Sequence, residues 1–173
     1  SPMSNDMTIP AAYDGREQAF IKHVLLQGYL EKLFLIVGLN KASDEAELCY
    51  VDCFAGPWGD QSDRIESTSI AISLRVLASC RQTLARLGVN ARVRALYIEQ
   101  DESAFARLKR YLETETPEGI IADALPGDFV KLREEIVRWV GPKAFAFFFI
   151  DPKGWKDVGV KVLRPLLQRP KSE

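Results

Sequence analysis

Asp52, Glu99, Asp128 and Asp151 are the residues of this chain best placed to do chemistry. Asp52, Glu99 and Asp151 each close a short apolar run, and Asp128 opens a helical pattern just after another. A carboxylate at such a place can neutralise a cation or accept hydrogen bonds from hydroxyl groups. Behind Asp52 come Gly56 and Gly59, which let the backbone approach a ligand where a side chain would collide. The turn contains neither G-x-G-x-x-G nor the Gly-Lys-Ser/Thr of a phosphate loop. Asp52 would repel a pyrophosphate and suits a cationic ligand. Glu99 can accept from both hydroxyls of a ribose. Together they describe a nucleoside without phosphates that carries positive charge. S-adenosylmethionine, with its sulfonium and ammonium groups, meets that description. A nicotinamide-dependent oxidoreductase fails for want of a third glycine and of a catalytic pair.

These residues need elements to hold them. Residues 1–15 read as a flexible lead-in punctuated by Pro10 and Gly15, with Ser1-Pro2-Met3 as a tag remnant before a native Met3. From Arg16, the apolar residues Phe20, Val24, Leu30, Leu33, Phe34 and Val37 recur at three- and four-residue steps. That spacing predicts a helix over 16–38, stopped by Gly38. The run 48–54, with Tyr50 and Val51 inside it, predicts a buried strand. Ser67 or Thr68 can cap a helix carrying Ile70, Leu74, Leu77, Leu84 and Leu87, closed by Gly88. A second strand covers 93–98, and Asp101 caps a helix carrying Phe105, Leu108 and Leu112. A brief third strand at 120–121 leads to a helix capped by Asp128, carrying Leu132, Ile136 and Val140 and stopped by Gly141-Pro142. The fourth strand, 144–150, is the most apolar, and a last helix carries Val160, Leu163 and Leu167. Apolar strands alternating with helices predict an α/β fold, a parallel sheet covered on both faces. In such sheets ligands sit beyond the carboxyl ends of strands, where the strand order reverses. The four acids fall at that rim.

Composition sets the bounds. The chain has 173 residues, 47% hydrophobic and 27% charged, enough for one sizeable core and too apolar for a disordered segment. A net charge of -1 supplies no global basic field for nucleic acid. The longest apolar run, 144–150, is far short of the ~20 residues of a membrane helix, and no signal-peptide pattern is visible. Cys49, Cys53 and Cys80 cannot complete a disulfide framework, which predicts a reducing, cytoplasmic setting. They read as small buried hydrophobes, since a zinc site wants about four ligands and a nucleophile wants a nearby base. His23 is the sole histidine and sits among apolar neighbours, where a structural role competes with a site role. Residues 153–173 hold six basic and two acidic side chains. They form either a phosphate-facing lip beside Asp151 or the solvated face of a helix.

The stretch Tyr50-Val51-Asp52-Cys53-Phe54-Ala55-Gly56-Pro57-Trp58-Gly59 resembles the D-x-F-A-G-x-x-G motif of class I S-adenosylmethionine-dependent methyltransferases. Ile98-Glu99 resembles their ribose-binding acid, and Gly127-Asp128-Phe129 the motif that meets the adenine amine. Phe149-Ile150-Asp151-Pro152 is similar to the D-P-P-aromatic motif of amino-methylating enzymes, with Lys153 at the second proline and Trp155 one position late. Phe20-Ile21-Lys22-His23 resembles a Leu-Lys-His segment of certain ribosomal-RNA adenine-N6 methyltransferases. Order and spacing from Lys22 to Trp155 resemble most closely the three-Cys-motif partner protein family.

The resemblance spans about residues 16–168 and implies a Rossmann-like methyltransferase fold over 16–173, with an N-terminal helix over 16–38 and a core over 46–173. It implies cofactor contacts from Lys22, His23, Asp52, Phe54, Ala55, Gly56, Gly59, Glu99, Gln100, Asp128 and Phe129. Catalysis falls to Asp151, Pro152 and Trp155. The family sheet has more strands than the four legible here, so the fold is expected to be truncated after the fourth. An exposed edge there would invite self-association or a protein partner. The function expected is methyl transfer to an amine, adenine N6 in nucleic acid first. The alternative is a non-catalytic nucleoside-binding partner or regulatory protein.

Overall fold

A computed structural model describes residues 23–40, 45–53 and 69–150 of the chain. Four strands, β1 (Glu45–Asp52), β2 (Asn90–Glu99), β3 (Ile120–Pro126) and β4 (Phe145–Phe149), form one all-parallel sheet in the order β3-β2-β1-β4. A π-helical turn, Leu26–Leu30, runs into α1 (Glu31–Leu39) ahead of the sheet. Helices α2 (Ser69–Arg86), α3 (Glu102–Glu115) and α4 (Arg133–Val140) connect successive strands. This is the α/β class that the alternating pattern predicts.

Strand alternation sorts the core into two layers. Leu48, Tyr50, Val93, Ala95 and Tyr97 belong to one, with α1, α2 and α3. Cys49, Val51, Leu96, Ile98, Ala144 and Ala146 belong to the other, with Ile136 and Val140 of α4. Helix ends follow local chemistry. Asp101 caps α3, its Oδ2 accepting from Ala104 N at 2.7 Å. Gly88 and Gly141, after α2 and α4, take the positive φ values of 84° and 78° that favour glycine. Arg94 of β2 secures the far end of α4. Its guanidinium donates to the Trp139 and Val140 carbonyls at 2.7 and 2.5 Å and lies 4.7 Å from the Trp139 ring centroid.

Several boundaries differ from the sequence expectation, each for a physical reason. The buried stripe runs through His23, Leu26, Leu30 and Phe34, at three- and four-residue steps, so Val24 faces solvent. Gly38 lies inside α1 instead of ending it. A Cβ there would come within 2.8 Å of Leu84 Cδ1, so glycine permits the close approach of α1 to α2. Leu87 falls beyond α2 and is exposed. β1 begins at Glu45 and ends at Asp52, earlier at both ends than the run 48–54. β3 is longer than 120–121. Its Ala122-Asp123-Ala124 carries little strand propensity, and register with β2 from Val93↔Ile120 to Glu99↔Pro126 decides the pairing instead. β4, the most apolar strand, is an outer strand among the described residues, with Phe145, Phe147 and Phe148 only part-buried. Phe145 and Phe147 meet Phe34 and Tyr29, at centroid distances of 6.2 and 6.1 Å. The helix expected around Val160–Leu167 lies outside the described residues, as does the lead-in. No helix of the described residues is long and apolar enough to cross a membrane.

Candidate functional site at the carboxyl rim

The order β3-β2-β1-β4 reverses direction at β1, because the chain builds outward through β2 and β3 and then returns to the other side for β4. The crevice at the carboxyl ends of β1 and its neighbours is where a sheet of this kind takes ligands. Asp52 ends β1, in register with Tyr97 on one side and Phe149 on the other. Cys53 N donates to Phe149 O at 2.9 Å and carries the pairing one residue further. Glu99 ends β2 two positions beyond Tyr97.

Both acids are withdrawn from water. Asp52 is 0% exposed and accepts from the Tyr50 hydroxyl, 3.2 Å from Oδ2. Glu99 is 6% exposed, and its Oε1 accepts from Asp101 N at 2.9 Å. Its Oε2 is buried and has no hydrogen-bond partner among the described residues. Burial pushes the Glu99 carboxyl above the ordinary glutamate range. The Asp101 N–H pulls it back in part, the charges of Asp101 and Asp52 push it up again, and the Gln100 N–H lowers it a little. The Asp52 charge is therefore felt at Glu99 on the adjacent strand. Leaving a buried charged acceptor unpaired costs about 1–3 kcal/mol or more. A ligand that brings hydroxyl donors would remove that cost.

Beneath the rim lies a second pair of polar side chains. Ser73 Oγ and Tyr97 Oη are 2.6 Å apart, and Ser73 also donates to Ile70 O at 2.8 Å. A hydroxyl has one proton to give, so Tyr97 donates to Ser73. Burial pushes both phenols up, so Tyr50 and Tyr97 stay protonated.

The third rim segment follows β3. Gly127, at φ 133°, donates its N–H to Glu99 O at 2.9 Å and ties the β3 exit to the end of β2. Asp128 Oδ1 accepts from Val130 N at 2.8 Å and Lys131 N at 3.3 Å. Its carboxylate thus organises the turn that precedes α4, whose first residue is Arg133. Phe129 is buried in the core layer that also contains Ile136 and Leu96. Gln100 is exposed next to Glu99. His23 is 7% exposed, at the start of the described helical stretch. The structure thus brings Asp52, Glu99 and Gly127 to one rim. Lys22, Phe54, Ala55, Gly56, Gly59, Asp151, Pro152 and Trp155 lie outside the described residues.

Sequence reading passed over Tyr50, Tyr97 and Ser73 as site neighbours. A signal was available: Tyr50-Val51-Asp52 and Tyr97-Ile98-Glu99 repeat one pattern, tyrosine-aliphatic-acid, at the ends of adjacent strands. The two-residue period of a strand puts each tyrosine on the side of its acid. Ser73 carries no such mark, because only the packing of α2 on the sheet brings it to Tyr97. No protein-family model, curated protein or solved structure matches the chain.

Proposed function

We propose that the chain is an S-adenosylmethionine-dependent methyltransferase-type domain similar to the three-Cys-motif partner proteins, acting on an amine, with adenine N6 in nucleic acid as the first substrate to try. The observation that carries this reading is the buried Oε2 of Glu99, which has no hydrogen-bond partner among the described residues, beside the buried Asp52 at the strand-order reversal. Glu99 accepts the ribose hydroxyls, which satisfies the idle oxygen. Asp52 faces the ammonium end, and the glycines after it, Gly56 and Gly59, let the backbone close on the ligand. The absence of a phosphate cradle in the sequence and the two negative charges both disfavour a dinucleotide.

When bound, S-adenosylmethionine supplies an already electrophilic methyl group, so the chain's task is to hold donor and acceptor in line. An aromatic amine is a weak nucleophile because its lone pair is delocalised into the ring. On this reading the Asp151 carboxylate and the Pro152 carbonyl would accept its N–H hydrogens and localise that pair, and Trp155 would stack on an unpaired base.

Two assays test the reading. Titration with S-adenosylmethionine, S-adenosylhomocysteine and NAD should show binding of the first two and none of the third. NAD binding alone would overturn it. Labelled methyl groups should then appear in RNA, DNA or protein pools. Asp151→Ala should abolish that transfer while affinity for S-adenosylmethionine stays within a few-fold, because the acceptor oxygen is needed only as the amine attacks. Near-normal turnover by the variant would exclude amine methylation through Asp151.

A further inference from the structure

A carboxylate selects a cation well only when its oxygens are held in place before the cation arrives. Tyr50 and Asp52 project from the same side of β1, both 0% exposed, with the Tyr50 hydroxyl 3.2 Å from Asp52 Oδ2. The Tyr50 ring is itself fixed. It meets Tyr97 edge-on at a centroid distance of 6.1 Å and stacks on Phe147 at 6.2 Å with 16° between the planes. The other buried phenol, Tyr97, gives its proton to Ser73. Tyr50 is therefore the phenol whose proton is committed to the rim acid. Burial, and then the Asp52 charge, hold the Tyr50 phenol well above its ordinary pKa, so the hydroxyl remains a donor at any working pH.

We infer that Tyr50 is a positioning residue for ligand specificity: its hydroxyl anchors one oxygen of Asp52 and so orients the carboxylate that receives the ammonium group of a bound nucleoside. The inference rests on the proposed reading of the rim as an S-adenosylmethionine site. It separates two classes of ligand. A nucleoside with an amino-acid end gains from an ordered Asp52. One with the same adenine, ribose and sulfur but no amine does not.

Calorimetric titration of the full chain with S-adenosylhomocysteine and with 5′-methylthioadenosine tests this. Tyr50→Phe should weaken S-adenosylhomocysteine about tenfold, the scale of a hydrogen bond to a charged group. It should change 5′-methylthioadenosine by less than about twofold, the scatter expected for uncoupled sites. The ratio of the two affinities within one variant is the readout, because partial unfolding lowers both equally and leaves it unmoved. In an Asp52→Asn background, Tyr50→Phe should cost S-adenosylhomocysteine nothing further. An unchanged ratio, or the same tenfold loss in that background, overturns the inference while leaving the proposed function standing. A wild-type chain that binds neither nucleoside overturns the proposed function, and the inference with it.

Discussion

The two sides of strands β1 and β2 are built from interleaved residues of the same segments, yet they bury different chemistry. On the α4 side, Cys49, Val51, Cys53, Leu96 and Ile98 carry apolar or nearly apolar side chains to the carboxyl rim, below which the part-buried Arg94 binds the end of α4. On the opposite side the amino-terminal positions Ala46, Leu48, Ala91 and Val93 are equally apolar, but the last positions are Tyr50, Asp52, Tyr97 and Glu99. Nothing in strand formation requires this change, since the α4 side finishes the same strands without it. Buried carboxylates oppose folding unless something offsets their desolvation. Glu99, with one buried oxygen that finds no hydrogen-bond partner among the described residues, puts such a cost at one corner of the core, where the strand order reverses. The same eight- and ten-residue strands thus end in apolar side chains on one side and in buried acids on the other.

The contrast is breakable by substitution. Leu96→Ala, on the apolar side, should destabilise the fold by about 2–5 kcal/mol in urea unfolding, the range for deleting a buried leucine side chain. It should leave nucleoside affinity unchanged in the folded fraction. A loss of affinity larger than the loss of folded protein would erase the division between the sides. Arg94→Leu should cost less, about 1–3 kcal/mol, because the Trp139 and Val140 carbonyls lose their donors. Hydrogen exchange should show the end of α4 opening first, with the rim unaffected.

Glu99→Gln should have the smallest effect on stability, and of the opposite sign. Burial raises the proton affinity of Glu99 in the folded chain above its unfolded value. Between those two values the folded state binds more protons, so this group makes stability fall as pH rises through the interval. Above it the penalty is complete. The variant should therefore melt higher than the wild type at neutral pH, and the difference should close as pH drops below the ordinary glutamate pKa of about 4.3. A variant that melts lower at neutral pH would mean that the Glu99 charge is already compensated in the free protein.

The legibility of the molecule follows the range of the interactions involved. Period and capping made β2, α3 and the acids at strand ends readable, because they depend on residues a few positions apart, as Asp101 and Ala104 do. The exposure of Val24 was not readable, since the choice between the stripe through Val24 and the one through His23 and Leu26 is made only when that helix packs against the rest of the fold. The apolar run of β4 did not itself mark an outer strand, since a run says how buried a strand could be; the edge expected there came from the count of strands, and among the described residues β4 is an outer strand. At the rim, residue types pointed to Asp52 and Glu99. The Tyr50 hydroxyl on Asp52 and the Asp101 N–H on Glu99 are contacts between residues two apart, whereas the Ser73–Tyr97 pair beneath them arises only when α2 packs on the sheet.

If the buried carboxylates at this rim receive a cationic ribonucleoside, the affinity of S-adenosylhomocysteine for wild-type and Glu99→Gln chains at neutral pH must differ. Wild type should bind, and the variant should bind ten- to more than a hundredfold more weakly, about 1.5–3 kcal/mol, although it is the more stable of the two. No binding by wild type, or equal dissociation constants for both chains, would contradict the account.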